Sequence, residues 1–308
     1  MRILRHAQDA AAPAAVAIGS FDGVHLGHAA VIAAAKDSAR EAGIMSTVLT
    51  FEPLPRELLN PGNAPPRLTS LTERLALLAR LGPDLACVQR FDAAYAALSA
   101  EEFERRLAER HGARVVLVGE DFRYGARRTG DRARLERAGR ELGFEVRTLP
   151  AVTVDGARVS STRIREALAA ADFDAAARQL GRRYAICGRV VRGARRGRTL
   201  GFPTANVRLA RARTPLSGIF AVKCHGVATR GLEGVASLGI NPAVRSDGVS
   251  TLEAFLFDFS GDLYGRRISI EFLKKLRDEA PFASMQELAA QIGRDCDAAR
   301  EYFREQAR

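Results

Sequence analysis

Two histidines three residues apart, His25 and His28, close the stretch GSFDGVHLGH that runs from Gly19 to His28. If the backbone is helical there, both imidazoles share a face and can donate to one anion. Gly23 and Gly27 let the main chain come close to a ligand, and backbone N–H groups at a helix start favour phosphate. A zinc site would also use closely spaced histidines, but it needs a third ligand and none lies nearby in the sequence. The plain alternative is a pair of surface histidines beside a turn.

A second group lies far downstream, in GRVVRGARRGRTLGFPTANV (residues 188 to 207). It lacks the GxxxxGK[ST] pattern of a P-loop. Gly193, Gly197 and Gly201 among Arg195, Arg196 and Arg198 suit a flap over phosphates, although such a run is also an ordinary solvated turn. Thr204 and Asn206 offer neutral oxygens of the kind Mg²⁺ prefers. In TLEAFLFDF, strand alternation puts Glu253 on the same face as Phe255 and Phe257. A carboxylate on an apolar face is costly unless it is paired or functional; an edge-strand glutamate reaching solvent is the alternative.

These residues need a scaffold, and the patterning describes one in two parts. The apolar run 15 to 19 precedes the glycine-rich turn, and HAAVIAAAKDSAREAG then reads as a helix closed by Gly43. Residues 45 to 51 and 113 to 119 are further strands. Ser70 with Glu73, and Ser99 with Glu102, form capping boxes that open two more helices. Repeated βα units imply a doubly wound, Rossmann-like parallel sheet, whose ligands lie at the carboxyl ends of its strands. After about residue 182 the pattern changes to short strand-like runs separated by Gly, Pro and Asp turns. This predicts a compact antiparallel barrel, with FSGDLYG as a hairpin connection. A final helix opens at Ser284 and Glu287, with Met285, Leu288, Ile292, Cys296 and Ala299 along one face as core. The expected fold is therefore α/β, with domains at 1–182 and 183–308.

HxGH at the first β-to-α turn resembles the signature of the nucleotidyltransferase superfamily that also contains class I aminoacyl-tRNA synthetases. VSSTRIREAL (159 to 168) resembles that superfamily's second motif. TFEPLPREL and VGEDFRYGARRTGD resemble its flavin-adenylylating branch. GRTLGFPTAN, SGIFAV, TLEAFLFDFSGDLYG and EFLKKLRDEAPF are similar to the riboflavin kinase domain. Taken together, the chain resembles the bacterial bifunctional riboflavin kinase/FAD synthetase family over nearly its whole length.

The resemblance implies phosphorylation of riboflavin to FMN by the second half and adenylylation of FMN by the first. It implies that His25 and His28 stabilise charge on the ATP α-phosphoryl group, within a nucleotide site formed by Gly19, Phe21, Asp22 and Gly23. Ser161, Thr162, Arg163 and Arg165 would hold the leaving phosphates, with Ser161 or Thr162 capping the helix. Asp121, Phe122 and Tyr124 would face the isoalloxazine, as two aromatics beside a polar group can, although such aromatics are more often core. In the kinase half, Glu253 would be the base for the ribityl hydroxyl. Gly197, Arg198, Gly201, Thr204 and Asn206 would bind ATP, with Mg²⁺ on Thr204 and Asn206. One departure stands out: Asn241, Pro242 and Ala243 replace a segment in which the family commonly carries a Pro-Thr pair.

The chain has 308 residues and a formal net charge of +11, and most of its cations are arginine. Nucleic acid is one possible reason, but the basic clusters lack interleaved aromatics and the chain has no Trp. A tRNA-charging protein would also show a KMSKS-like lysine loop, and none is visible. Polyphosphate and flavin ligands suffice, so the expected partners are riboflavin, FMN and ATP, with no specific nucleic acid, no membrane, and room for self-association. Four scattered cysteines and no apolar leader suit a reducing cytoplasm. An adenylyltransferase whose barrel serves only for interaction is the main rival reading, and Thr204, Asn206 and Glu253 argue against it.

Overall fold

A computed structural model describes residues 1–5, 12–193, 201–211, 213–240 and 250–307. The chain divides into two units: Met1–Pro65 with Arg74–Ser160, and Pro66–Glu73 with Ser161–Arg308. The first contains β1 (Arg2–Arg5), β2 (Ala14–Ile18), α1 (Leu26–Ala42), β3 (Met45–Glu52) and α2 (Pro55–Leu59). Helix α3 (Leu71–Leu81) follows, with the division falling between Glu73 and Arg74. Next come β4 (Leu85–Arg90), α4 (Ala93–Ala96), α5 (Ala100–Glu109), β5 (Ala113–Gly119), α6 (Arg132–Leu142), β6 (Glu145–Leu149), β7 (Thr153–Val154) and β8 (Ala157–Arg158).

The six-stranded sheet has the order β1-β4-β3-β2-β5-β6, and all its pairs are parallel. Every residue of β2 is buried. Ala15 and Ala17 pack under α1 with Ile32 and Ala35, while Val16 and Ile18 pack with Phe103 and Leu135 on the other face. A strand buried on both faces needs apolar residues throughout, which is why AAVAI shows no alternation. From β2 the chain winds one way to β3 and β4; it then returns to β5 on the other side of β2. The carboxyl ends of β2 and β5 therefore flank the point where strand order reverses, the place where such sheets bind ligands.

The second unit contains α7 (Ser161–Ala169), α8 (Phe173–Leu180), β9 (Ala185–Val191), β10 (Ala205–Arg208), β11 (Gly218–His225), β12 (Leu232–Ile240), β13 (Ser250–Leu256), β14 (Arg267–Arg277) and α9 (Met285–Gln306). Its strands close an antiparallel barrel in the order β10-β13-β12-β11-β14-β9. Leu252, Ala254 and Leu256 of β13 face the inner core with Phe220 and Phe272. Phe255 and Phe257 face outward, in a cluster with Cys296, Ala299 and Phe303 of α9. Of the predicted stripe on α9, Ile292, Cys296 and Ala299 join this cluster, Leu288 is half-buried outside it and Met285 is exposed. The expected hairpin at FSGDLYG is a crossover. Strands β13 and β14 are not neighbours, and their connection must pass β10 and β9.

Glu73 does more than cap α3. Its Oε2 accepts from the Ser70 backbone N–H and hydroxyl, both at 2.6 Å, and its Oε1 accepts from the Cys187 N–H at 2.6 Å. Oε2 also pairs with the guanidinium of Arg211, and both residues are buried. Arg211 donates in addition to Leu68 O at 2.6 Å and to the Tyr184 hydroxyl at 3.2 Å, while that hydroxyl donates to Leu68 O at 3.0 Å. The segment Pro66–Glu73 is thereby fixed to the start of β9 and to the connection after β10. Breaking such a pair from one side leaves a buried charge without its counter-charge. Glu73→Ala should therefore lower unfolding free energy by about 3–5 kcal/mol. Glu73→Gln, which keeps an acceptor, should cost less, and urea unfolding of the full chain measures both.

Candidate active sites

In the first unit, β2 ends at Ile18 and α1 begins at Leu26, so His25 is the helix N-cap and not a helical residue. The two rings nevertheless share a face, for a different reason from helical spacing. His25 Nδ1 accepts from the His28 N–H at 3.2 Å, and His28 Nδ1 accepts from the His25 N–H at 3.4 Å. This reciprocal box stacks the imidazoles, with centroids 3.5 Å apart and planes at 15°. Because both Nδ1 atoms accept, each neutral ring carries its proton on Nε2, which gives two parallel donors.

The turn before the histidines is strained and packed. Phe21 (φ 50°) and Val24 (φ 43°) lie in the left-handed region beside Gly23 (φ 86°). Non-glycine residues held there persist only where their surroundings over-determine them. Phe21 is buried and sets its ring edge-on to His28 at 5.2 Å. A Cβ on Gly19 would come within 3.1 Å of that ring. Asp22 is buried as well. The sequence reading missed Arg74, which is fully buried and donates to Ser20 O (2.9 Å), Phe51 O (2.9 Å) and Glu52 Oε2 (2.8 Å). It braces the turn and the end of β3, and nothing in its local pattern distinguishes it from the other arginines.

The neighbouring strand β5 leads into residues 120–131. Asp121 is exposed and pairs with Arg158 at 2.8 Å. Burial opposes ionisation of its carboxyl, but the Arg158 bond, a backbone hydrogen bond and the charges of Arg158 and Arg128 together hold the pKa below the usual carboxylate value. Phe122 is half-buried, and its ring stacks on Tyr124 at 5.5 Å and 20°. Tyr124 itself is buried. The expected flavin group thus lies at the correct end of the sheet, but only Asp121 and Phe122 keep appreciable exposure.

The remaining residues of the expected phosphate group fall in the second unit. Helix α7 begins at Ser161, which puts Ser160, one residue earlier than expected, at the N-cap position. Thr162 and Arg163 are exposed, and Arg165 donates from Nε to Pro66 O at 2.7 Å.

On the barrel, Asn206 of β10 lies directly opposite Glu253 of β13, and Glu253 lies opposite Ser237 of β12. Facing residues of antiparallel pairs share a face, so these three form a row on the outer surface of the barrel. The Thr204 hydroxyl donates to Glu253 Oε2 at 3.1 Å. Glu253 is therefore half-buried next to Phe255, as expected, and has a polar partner that the sequence did not show. A cavity of about 590 Å³ opens next to Thr204, on the inner side of the same strands. It is lined by Thr204 and Ala205, by Leu256, and by Phe259, Asp262 and Tyr264 of the crossover. Gly201 (φ 84°) precedes this segment. Gly197, Arg198, Asn241, Pro242 and Ala243 lie outside the described residues. Thr204, Asn206 and Glu253 supply only oxygen donors, two of them neutral, which fits a hard cation shared with phosphates. Among the described residues no cluster of three or more His, Cys, Asp or Glu side chains could hold a metal.

The family model described as FAD synthetase matches residues 7–163, and that described as riboflavin kinase matches residues 180–303. The chain is 45% identical over 284 residues to the bifunctional riboflavin kinase/FMN adenylyltransferase of Pseudomonas fluorescens, covering 92% of this chain and 91% of the relative. It is 44% identical over 288 residues to that of Escherichia coli K12, covering 93% and 91%. A crystal structure from Streptococcus pneumoniae, described as a macrolide-efflux protein, superposes with a TM-score of 0.79 at 29% identity, covering 97% and 99%. Among the described residues, no helix is long and apolar enough to cross a membrane.

The barrel row makes a steric demand on Gly193. A Cβ there would lie 2.4 Å from the Asn206 carboxamide, closer than any real contact. Gly193→Ala should turn Asn206 out of the row and cost about 1–3 kcal/mol, as overpacking does. Denaturant unfolding measures the cost, and a crystal structure of the variant shows the rotamer.

Proposed function

The chain belongs to the family of bifunctional riboflavin kinases/FMN adenylyltransferases, and on that premise we propose how its residues divide the two reactions. The enzyme phosphorylates riboflavin to FMN and adenylylates FMN to FAD, using ATP in both steps. Kinase chemistry is assigned to residues 183–308 and adenylyl transfer to residues 1–182, while the fold of the barrel unit also draws in Pro66–Glu73 and residues 161–182.

In adenylyl transfer, an oxygen of the FMN phosphate attacks the α-phosphorus of ATP and pyrophosphate leaves. No covalent nucleophile is needed; alignment and charge stabilisation carry the rate. His25 and His28 present Nε2–H donors to the developing charge. The turn through Gly19, Phe21, Asp22 and Gly23 shapes the nucleotide site, and Ser161, Thr162, Arg163 and Arg165 hold the leaving phosphates. Asp121, Phe122 and Tyr124 receive the flavin. The observation that carries this assignment is the stacked, mutually capped histidine pair, which holds its donors in place before substrate arrives.

In the kinase half, Glu253 accepts the proton of the riboflavin 5′-hydroxyl as its oxygen attacks the γ-phosphorus and ADP leaves. Thr204 donates to one carboxylate oxygen and so leaves the other to accept. Thr204 and Asn206 would hold Mg²⁺, which screens phosphate charge when bound. Gly197, Arg198 and Gly201 complete the ATP site. We place the enzyme in the cytoplasm with small-molecule partners, no specific nucleic-acid partner, and self-association as an open route. Cys87, Cys224 and Cys296 are buried, and burial pushes their thiols up to about 11, which suits unreactive thiols.

Incubation with riboflavin, ATP and Mg²⁺, followed by chromatography of FMN, FAD, ADP and pyrophosphate, tests both assignments. The His25→Ala, His28→Ala double variant should lose about 10²- to 10³-fold in FAD formation while FMN formation is unchanged. Full adenylyltransferase activity in the folded variant would refute the role of the pair.

Glu253→Gln keeps shape and a hydrogen-bonding group but removes the proton acceptor. Riboflavin phosphorylation should fall about 10²- to 10⁴-fold while added FMN is still converted to FAD at the normal rate. A kinase rate within a few-fold of wild type would show that the base lies elsewhere.

A further inference from the structure

Glu104 of α5 lies outside every motif of the two reactions, yet it is a buried acid, 3% exposed. Its carboxylate accepts the phenol proton of Tyr124 through a short hydrogen bond. Arg134 of α6 shares that oxygen and spans the carboxylate, at 2.7 Å from Nε to Oε1 and 3.2 Å from Nη2 to Oε2. A two-pronged guanidinium contact fixes a carboxylate in position and in plane. Burial first, and then the bond to Glu104 and its charge, push the Tyr124 pKa up, so the phenol remains a donor.

Tyr124 is held from every other side as well. Its backbone exchanges hydrogen bonds with Gly130 at 3.1 and 2.9 Å, and a Cβ on Gly130 would strike the ring at 2.5 Å. Phe103 of α5 meets the ring at 5.1 Å. One residue on, a Cβ on Gly125 would clash with Ala100 at 2.8 Å, and after it the Ala126 N–H donates to Leu98 O at 2.7 Å. The segment after β5 is therefore fastened to α5, and its one exposed aromatic surface is Phe122, stacked on Tyr124.

We propose that Glu104, oriented by Arg134, is a positioning residue for the flavin: it holds Tyr124, and through the stacked pair it sets the plane of Phe122 against which the isoalloxazine lies. This rests on the assignment of the flavin to Asp121, Phe122 and Tyr124. Glu104 touches no substrate. It acts because a ring stacked on a fixed ring loses little further freedom when the ligand binds, and such preorganisation improves affinity.

The test uses the full-length enzyme and follows KM for FMN and for ATP in FAD formation, FMN binding by fluorescence quenching, riboflavin phosphorylation, and the unfolding midpoint. Glu104→Leu removes the acceptor and frees Arg134 to reach water. KM for FMN should rise by about tenfold, short of the ~10²-fold that a 1 Å misplacement can cost. KM for ATP and the kinase rate should stay within about twofold of wild type, since the tether acts only through Phe122. Glu104→Gln keeps an acceptor and should lie closer to wild type. Adding Tyr124→Phe to Glu104→Leu removes both polar groups and should recover part of the FMN affinity, because replacing both partners is less costly than orphaning one.

Phe122→Ala reports on the flavin assignment alone. If it raises KM for FMN while Glu104→Leu does not, the positioning role is overturned and the flavin assignment stands. If Phe122→Ala leaves KM for FMN unchanged, the flavin assignment fails and the proposal falls with it. If Glu104→Leu raises both KM values together and lowers the unfolding midpoint, Glu104 is a general structural residue and the proposal is wrong. Should Glu104→Leu fail to fold, Tyr124→Phe alone must raise KM for FMN a few-fold, and an unchanged value overturns the proposal.

Discussion

The barrel unit is organised around one buried ion pair, Glu73 with Arg211. Two charges taken out of water cost several kcal/mol each, and their attraction offsets that only when every remaining lone pair and proton is satisfied. Here the carboxylate accepts from Ser70, Cys187 and Arg211, and the guanidinium donates to Leu68 and Tyr184 as well, although its buried Nε has no acceptor among the described residues. Such a network contributes uniqueness more than net stability. It can form only if Pro66–Glu73, the first turns of β9 and the connection after β10 are all in place together. Strand β10 lies between β9 and β13. Anchoring β9 and the end of β10 therefore anchors the pairing that sets Asn206 opposite Glu253.

The two units reach preorganisation by different routes. In the parallel sheet the topology does the placing: the reversal of strand order brings the ends of β2 and β5 side by side, and the turns that follow carry the histidines and the aromatic pair. Strain at Phe21 and Val24 is sustained because β2 is buried along its whole length and Arg74 ties Ser20 to Phe51. In the barrel, Leu252, Ala254 and Leu256 point into the inner core, and alternation along β13 puts Glu253 on the outer face. That face is apolar only where α9 covers it. Arg300 lies over the Phe257 ring at 4.4 Å, and Arg277 is held by both oxygens of Asp295 at 2.8 and 2.7 Å, which keeps the helix on the phenylalanines.

What could be read from the sequence follows from range. The helix caps at Ser70, Ser99 and Ser284 are local, and each forms as its spacing implies. The central strands β2, β3 and β5 are marked by continuous apolar runs. Strands β1, β4 and β6 are not marked: β1 is exposed at every residue, β6 carries Glu145 and Arg147, and the apolar run of β4 is only Leu85, Ala86, Cys87 and Val88. The histidine rings share a face through a reciprocal cap and not through helical spacing, which the pattern HxGH does not reveal. Glu253 on its apolar face was legible from alternation alone. Its bond to Thr204 crosses 49 residues and was not. The crossover after β13 was misread as a hairpin because turn residues mark a reversal of the chain without saying which strand is met next.

The arginines show the same limit from another side. A net charge of +11 invites a search for a polyanion, yet the least exposed arginines answer to the protein's own acceptors. Arg74 and Arg211 bond main-chain carbonyls from the core, Arg165 bonds Pro66 O, and Arg134 and Arg277 clamp the buried acids Glu104 and Asp295. A guanidinium suits this work: its five donors lie in a plane and its charge persists when buried, so one side chain can satisfy several carbonyls at irregular loop ends. Charge counted along the sequence is therefore a poor measure of charge offered to a ligand. The arginines that remain to bind phosphate must be found by their place at the carboxyl ends of the parallel strands or beside the barrel row, not by their number.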